Sequence, residues 1–121
     1  MTSNREIFRL LENNDLINYY EVLDFRENQH SFFLKLKILF IDRSVLFASE
    51  YFSIENHNYS YHWQDENNLL LIRWDNSPYH RNIETFPHHK HKNDKIFSSE
   101  EIGMEDVLNY IFKIIKNRIT N

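Results

Sequence analysis

The residue types best suited to proton transfer and anion binding are concentrated in one stretch of the chain. Residues 79–97 contain four of the seven histidines, and four basic residues there stand against two acidic ones. The net charge of this histidine segment is +2 and that of the remaining chain is −6, although the whole chain has −4. Imidazoles exchange protons near neutral pH, and Lys and Arg bind phosphate. The segment therefore predicts a site for an anionic partner such as phosphate.

Three interpretations of the histidine segment are open from the residues alone. The first is a solvated loop without a function. The second is a metal site, although His88, His89 and His91 cannot all face one ion from a strand. A loop, or a fourth ligand such as His80, would then be needed. The third is metal-free cleavage of a phosphodiester, in which one His accepts the proton of a ribose 2′-hydroxyl, another His or a Lys protonates the leaving oxygen, and an Arg holds the phosphate.

A second candidate region combines the aromatic segment 59–64 with residues 73–76. Strand alternation places three aromatic side chains of 59–64 on one face, a pattern more typical of core than of base stacking. His62 lies on the other face, where a neighbouring strand would bring Glu50 or Arg73 beside it. Because Glu50 falls among Leu46, Ala48 and Phe52 on an otherwise apolar strand face, we expect its carboxylate to be paired or raised in pKa unless it reaches solvent near the strand end.

The elements that must position these residues follow from the periodicity. Ser3 and Glu6 have capping-box spacing before a short N-terminal helix, and a long apolar stripe from Met104 onward, with acidic residues at its start, predicts a C-terminal helix. Two-residue alternation broken by Asn or Asp predicts five strands joined by tight turns, whereas residues 76–98 are predicted to be irregular. The predicted strands are 19–26, 32–40, 44–54, 59–64 and 69–75.

The predicted fold is therefore α+β: an antiparallel meander of about five strands with the N-terminal and C-terminal helices packed on one face. Residues 1–121 are expected to form a single domain. The chain has no Cys and one Gly, which excludes thiolate chemistry and a Gly-rich phosphate loop. The first residues lack a signal peptide and no apolar run could cross a membrane, so we expect a cytoplasmic protein.

Three motifs and the start of the last helix carry a resemblance to a known family. Residues 59–64 read Tyr-Ser-Tyr-His-Trp-Gln, 73–80 read Arg-Trp-Asp-Asn-Ser-Pro-Tyr-His, and 85–91 read Thr-Phe-Pro-His-His-Lys-His. In their order and spacing, and with 105–108 opening the last helix, they resemble the TumE toxins of prokaryotic toxin–antitoxin pairs. Tyr79 and Gly103 depart from the family pattern. The resemblance implies a small toxin encoded beside an antitoxin and acting on RNA to arrest translation.

We assign candidate roles from the residue types. His88, His89 and His91 are acid–base candidates, and Arg73 and Lys90 are candidates for holding the phosphate. The substrate-binding candidates, which would stack on or contact RNA, are Tyr61, His62, His80, Arg81 and Lys92. No metal ion and no cofactor is assigned.

The leading prediction is thus a metal-independent endoribonuclease toxin that cleaves RNA by His acid–base chemistry. Its expected partners are a cognate antitoxin, expected to bind DNA, and RNA, with no membrane contact and with homodimerisation through exposed sheet edges possible. Two alternatives remain: a non-catalytic protein-interaction module, which the net charge of −4 favours because it repels RNA, and a His-dependent metal-binding protein.

Overall fold

Alternating apolar and polar residues form a seven-stranded antiparallel sheet in which each strand pairs with its neighbour in sequence. The computed structural model describes residues 4–120, so Ser3 of the predicted capping box lies outside the described residues. The predicted α+β class is confirmed. The elements are α1 (Asn4–Glu12), β1 (Ile17–Glu27), β2 (Ser31–Phe40), β3 (Val45–Ser53), β4 (His57–Gln64), β5 (Leu70–Asp75), β6 (His89–Lys92), β7 (Lys95–Ser98) and α2 (Met104–Thr120).

One face of the sheet is buried beneath the two helices, as predicted. Leu36, Ala48, Tyr61 and Trp74 form a cross-strand row from β2 to β5, and all four are at most 3% exposed. The apolar stripes of α1 and α2 join the same hydrophobic cluster, with Ile7 and Leu11 from α1 and Met104, Leu108, Ile111 and Ile115 from α2. We call this side of the sheet the covered face.

The opposite side of the sheet, which we call the open face, carries a polar row. The strand register joins Lys37, Phe47, His62, Arg73 and His91 across β2 to β6, and none of these side chains is buried. Since side chains alternate along a strand, this row lies one residue out of step with the buried row. Three residue types suited to binding anions and moving protons therefore share one surface.

The sheet has more strands than predicted, and part of the segment 76–98, which was predicted to be irregular, forms two of them. Five strands were expected, but residues 89–98 form a further hairpin of β6 and β7 that extends the sheet beyond β5. Its two-residue turn places Asn93 at φ 54° and Asp94 at φ 61°. Positive φ at both central positions is typical of a type I′ turn, which suits the twist of a hairpin. Residues 76–88 contain turns but neither helix nor strand.

Candidate functional site

The histidine segment and the 73–80 motif meet at the end of β5. Because β5 and β6 pair antiparallel, Arg73 lies opposite His91 and Asp75 lies opposite His89 on the open face. The segment after β5 turns back over this end and brings the ring of His80 to 4.7 Å from that of His89. We call the resulting group the open-face site, and its members are His62, Arg73, Asp75, His80, His89 and His91.

Asp75 is the carboxylate at the centre of the open-face site, and it is only 5% exposed. Its Oδ1 accepts hydrogen bonds from the backbone N and the Oγ of Ser77 at 3.1 and 2.8 Å, and its Oδ2 accepts one from Arg73 Nε at 3.0 Å. Burial by itself raises the pKa of Asp75, but the hydrogen bonds from Ser77 and Arg73 and the charge of His89 together hold that pKa below its ordinary value. The carboxylate is therefore ionised at neutral pH.

His89 is the most deeply placed imidazole, with 1% of the residue exposed. Its Nδ1 lies 2.9 Å from the carbonyl oxygen of Pro87. Because a carbonyl can only accept a hydrogen bond, we assign the proton to Nδ1. Nε2 lies 2.9 Å from Oδ1 of Asp75, yet it is buried and the approach lacks hydrogen-bond geometry. His89 thus holds a buried ring nitrogen that is close to a carboxylate but has no hydrogen-bond partner among the described residues.

His80 and His91 complete a trio of imidazoles around His89. The three ring centroids are 4.7 to 5.5 Å apart, and one nitrogen from each ring lies within 4.8 Å of the others. Burial and the charges of the neighbouring imidazoles and of Arg73 lower the pKa of His91, although Asp75 opposes them. The side chain of His91 is 27% exposed, so a ligand can reach this edge of the trio.

Arg73 presents a guanidinium that is fixed on two sides. Nε donates to Asp75, and Nη1 lies 3.4 Å from Nδ1 of His62, whose Nε2 is 3.1 Å from Oε1 of Gln64. Burial, and then the charge of Arg73, lowers the pKa of His62. A neutral His62 can accept from Arg73 and donate to Gln64 at once. These contacts use Nε and Nη1 of Arg73. The side chain is 41% exposed, so its remaining nitrogen, Nη2, can bind an anion.

Several predicted site residues lie away from the open-face site. Lys90 pairs with Trp74 and so belongs to the covered face, which Lys92 shares by alternation along β6. His88 stacks on Tyr59, and its Nδ1 is 2.8 Å from the tyrosine hydroxyl. Tyr61 is fully buried, and Arg81 is exposed in the irregular segment. Of the ten candidates, the structure brings together His62, Arg73, His80, His89 and His91.

A second polar network lies at the edge of the covered face, and of its members the sequence indicated Glu50 but not His57. Glu50, 2% exposed, accepts a hydrogen bond from the Tyr61 hydroxyl and therefore lies away from His62. His57 lies between two carboxylates, with Nε2 3.7 Å from Glu50 and Nδ1 2.8 Å from Glu101. Glu50 raises the pKa of His57 against the opposing effect of burial, and Glu101 adds to the rise. A cleft of about 480 Å³ opens beside this network.

The fold and the open-face site define a class: small α+β proteins that gather imidazole, guanidinium and carboxylate groups on the uncovered side of an antiparallel sheet. The chain belongs to the TumE toxin family, because the family model described as Toxin TumE matches residues 7–119. A search of curated proteins and a search of solved structures each found no match.

Membership of this family confirms the predicted toxin and implies an antitoxin as partner. Among residues 4–120, no helix is long and apolar enough to cross a membrane.

Proposed function

We propose that this toxin is an endoribonuclease whose RNA substrate binds at the open-face site. The observation that carries the proposal is the fixation of Arg73 by Asp75 and His62 beside two partly exposed imidazoles. A guanidinium held in place costs little reorganisation when it binds a phosphate, and it neutralises the charge that develops there. Imidazoles at the same point supply the acid and the base that RNA cleavage needs.

The reaction that fits these groups uses the ribose of the substrate itself. The 2′-oxygen attacks phosphorus as an imidazole accepts its proton, and the bond from phosphorus to the 5′-oxygen breaks. A second imidazole protonates that 5′-oxygen, so the products are a 2′,3′-cyclic phosphate and a 5′-hydroxyl. We assign these two proton transfers to His80 and His91, because both rings are partly exposed whereas His89 is buried.

The other predicted residues take different places in this proposal. Lys90 and His88 lie outside the reaction centre, because they contact residues of the covered face. Arg81 is exposed in the segment after β5, and we propose that it contacts the RNA backbone beyond the cleaved bond. Lys92 is exposed too, but it lies on the same side of β6 as Lys90 and is given no contact to the RNA. Tyr61 has no exposed surface, so its role is in the core.

The same proposal extends to partners and location. An enzyme of this kind meets RNA in the cytoplasm, and we propose that its antitoxin is a DNA-binding protein. Exposed apolar side chains on the edge strand β1, including Leu23 and Phe25, offer a surface for the antitoxin or for a second copy of the chain.

Cleavage of RNA by the purified toxin tests the proposal. We expect the wild-type chain to cleave total cellular RNA, leaving 2′,3′-cyclic phosphate ends, and to leave a 2′-deoxy oligonucleotide intact. Arg73→Gln should lower the cleavage rate about 100-fold or more, the effect of removing one donor to a developing oxyanion. Arg26→Gln is the matched control, because Arg26 also lies beside an aspartate, 3.3 Å from Asp24, but on β1. Intact RNA with the wild-type chain, or an unimpaired Arg73→Gln, would contradict the proposal.

A further inference from the structure

We propose that His80, His89 and His91 bind one divalent late transition metal ion, for which zinc is the first ion to test. Each imidazole contributes one nitrogen, and the three nitrogens lie within 4.8 Å of one another. The catalytic meaning of this ion rests on the proposed function of the open-face site, whereas its binding can be measured without RNA.

The strongest support comes from the buried imidazole of His89. Nδ1–H donates to the carbonyl oxygen of Pro87, so in the neutral ring the lone pair is on Nε2. Nε2 is buried and lies 2.9 Å from Oδ1 of the ionised Asp75, without a hydrogen bond to it or to another described residue. Such a position takes a cation, either a proton on the ring or a metal ion on its lone pair. A metal-ligating histidine usually has this arrangement, with one nitrogen on the ion and the other donating to a backbone carbonyl or a carboxylate. A bound metal ion would give Nε2 a ligand bond and would also separate its lone pair from the negative charge of Asp75.

The three ring nitrogens are farther apart than in a site that holds zinc, but side-chain movement can bring them together. Nitrogens that bind zinc at about 2.0–2.1 Å in a tetrahedral site lie about 3.3 Å from each other. His80 follows β5 in a segment without helix or strand, and His91 is partly exposed, so both side chains can move towards the fixed ring of His89. The strand pairing of His89 with Ser98 and of His91 with Ile96 keeps their backbone positions.

The ligand chemistry selects the class of ion. Imidazole nitrogens suit Zn²⁺, Ni²⁺, Cu²⁺ and Co²⁺, whereas Mg²⁺ and Ca²⁺ prefer oxygen ligands. Asp75 lies beside the trio and adds negative charge, but its oxygens already accept hydrogen bonds from Ser77 and Arg73. Three protein ligands leave a coordination position open, which is the pattern of catalytic rather than structural zinc. An ion held there would lower the pKa of a bound water next to the phosphate-binding Arg73.

This ligand set differs from the one that the sequence suggested. His88 was a candidate ligand, but its ring stacks on Tyr59 on the covered face. His80, the candidate fourth ligand, instead joins His89 and His91. The inference also departs from the expectation of a metal-free reaction. With an ion bound, the nitrogens of His80 and His91 that hold it could not transfer protons, and a water on the ion would replace them as the base.

Metal titration of the full chain tests the inference. The protein is purified without an affinity tag, treated with EDTA, dialysed, and titrated with ZnCl₂ in a calorimeter; Co²⁺ absorption in the visible range reports the coordination geometry. We expect one ion per chain. His80→Ala and His91→Ala should each weaken binding by about 100-fold or more, since even losses outside the ligand shell can reach that size. The control is His30→Ala, because His30 is exposed in the turn between β1 and β2.

The inference would be overturned by a stoichiometry well below one ion per chain, or by binding that His80→Ala and His91→Ala leave unchanged. If protein that binds no metal nevertheless cleaves RNA, the inference fails and the proposed function stands. Stoichiometric binding by a chain that cleaves no RNA would support the inference and contradict the proposed function instead. Matching circular dichroism spectra of the variants would show that loss of binding is not loss of the fold.

Discussion

The histidines of this chain have separate environments, although four of them lie within the short segment 79–97. His89 and His91 face the open side of β6, His80 reaches them from the preceding segment, and His88 packs on Tyr59 on the other side of the sheet. One step along a strand reverses the direction of a side chain. Neighbouring histidines in the sequence therefore have different chemistry, which makes single-residue substitutions informative.

His57 gives a prediction about the pH dependence of stability. It contacts Glu50 and Glu101, shares its cleft with Glu105 and Asp106, and has a raised pKa. A group whose folded pKa is raised stabilises the fold fully below its unfolded pKa, about 6.5, and this stabilisation is lost as pH rises through the folded pKa.

The free energy of unfolding, measured in urea across pH 5 to 9 for the wild type and His57→Gln, checks this prediction. We expect the wild-type advantage to be largest at the acidic end and to shrink as pH rises. An advantage that stays constant with pH would show that His57 stabilises by packing rather than by charge.

Asp75 is a residue of the open-face site that the sequence did not predict. Candidate bases and cations are readily found in a sequence, because clusters of His and Arg are unusual. For His62 the sequence left two neighbours open, Glu50 or Arg73, and in the structure it is Arg73. The carboxylate was not among the candidates, although its two-residue spacing from Arg73 on a predicted strand was the available signal. Asp75 lies 2.9 Å from His89 because β5 pairs with β6, and the sequence did not predict β6 as a strand.

Among the elements, β2 and α2 could be predicted because the apolar residues in their sequences recur regularly over ten residues or more. Every second residue of β2 is apolar and buried, and the apolar residues of α2 that recur at helical spacing are buried too. The hairpin of β6 and β7 could not be recognised in this way. Its strands have four residues each, β6 consists of His and Lys alone, and all of β7 is exposed, so no apolar face marks either strand.

The turn of this hairpin gives a prediction for stability. Asn93 has φ 54°, a conformation that Asn and Gly tolerate and that β-branched residues resist. Asn93→Val should destabilise the hairpin by about 1–2 kcal/mol, whereas Asn93→Gly should have little effect. Hydrogen exchange of the amides in residues 89–98 measures this, with faster exchange expected only in the valine variant. Equal exchange in all three proteins would contradict the assigned turn.

Residues 4–120 contain one continuous hydrophobic cluster, which includes both helices and strands β2 to β5. We therefore keep the proposal that residues 1–121 form a single domain, and we expect one cooperative unfolding transition. Ile111, fully buried on α2, contributes to that cluster. Ile111→Ala should lower the free energy of unfolding by about 2–5 kcal/mol while preserving a single transition. Two separate transitions in the wild type would contradict the single-domain proposal.

Charge is distributed unevenly along the chain, because the histidine segment carries +2 and the whole chain carries −4. The sheet does not collect this positive charge on the open face. Lys90 and Lys92 lie on the covered side, Lys37 and Lys35 lie opposite Glu21 and Asp24, and Arg73 pairs with Asp75. A net charge of −4 opposes RNA binding at long range, so the proposed function depends on the local contacts of Arg73 and the imidazoles and not on a positive field.

Two neighbours on β6 separate the open face from the covered face in one experiment. His91 faces the open side and Lys90 faces the covered side, so the rate of RNA cleavage is measured for His91→Ala and for Lys90→Ala. We expect a loss of about 100-fold or more for His91→Ala, the contribution of an acid–base group, and a rate close to wild type for Lys90→Ala. Full activity of His91→Ala would contradict the assignment of the site to the open face.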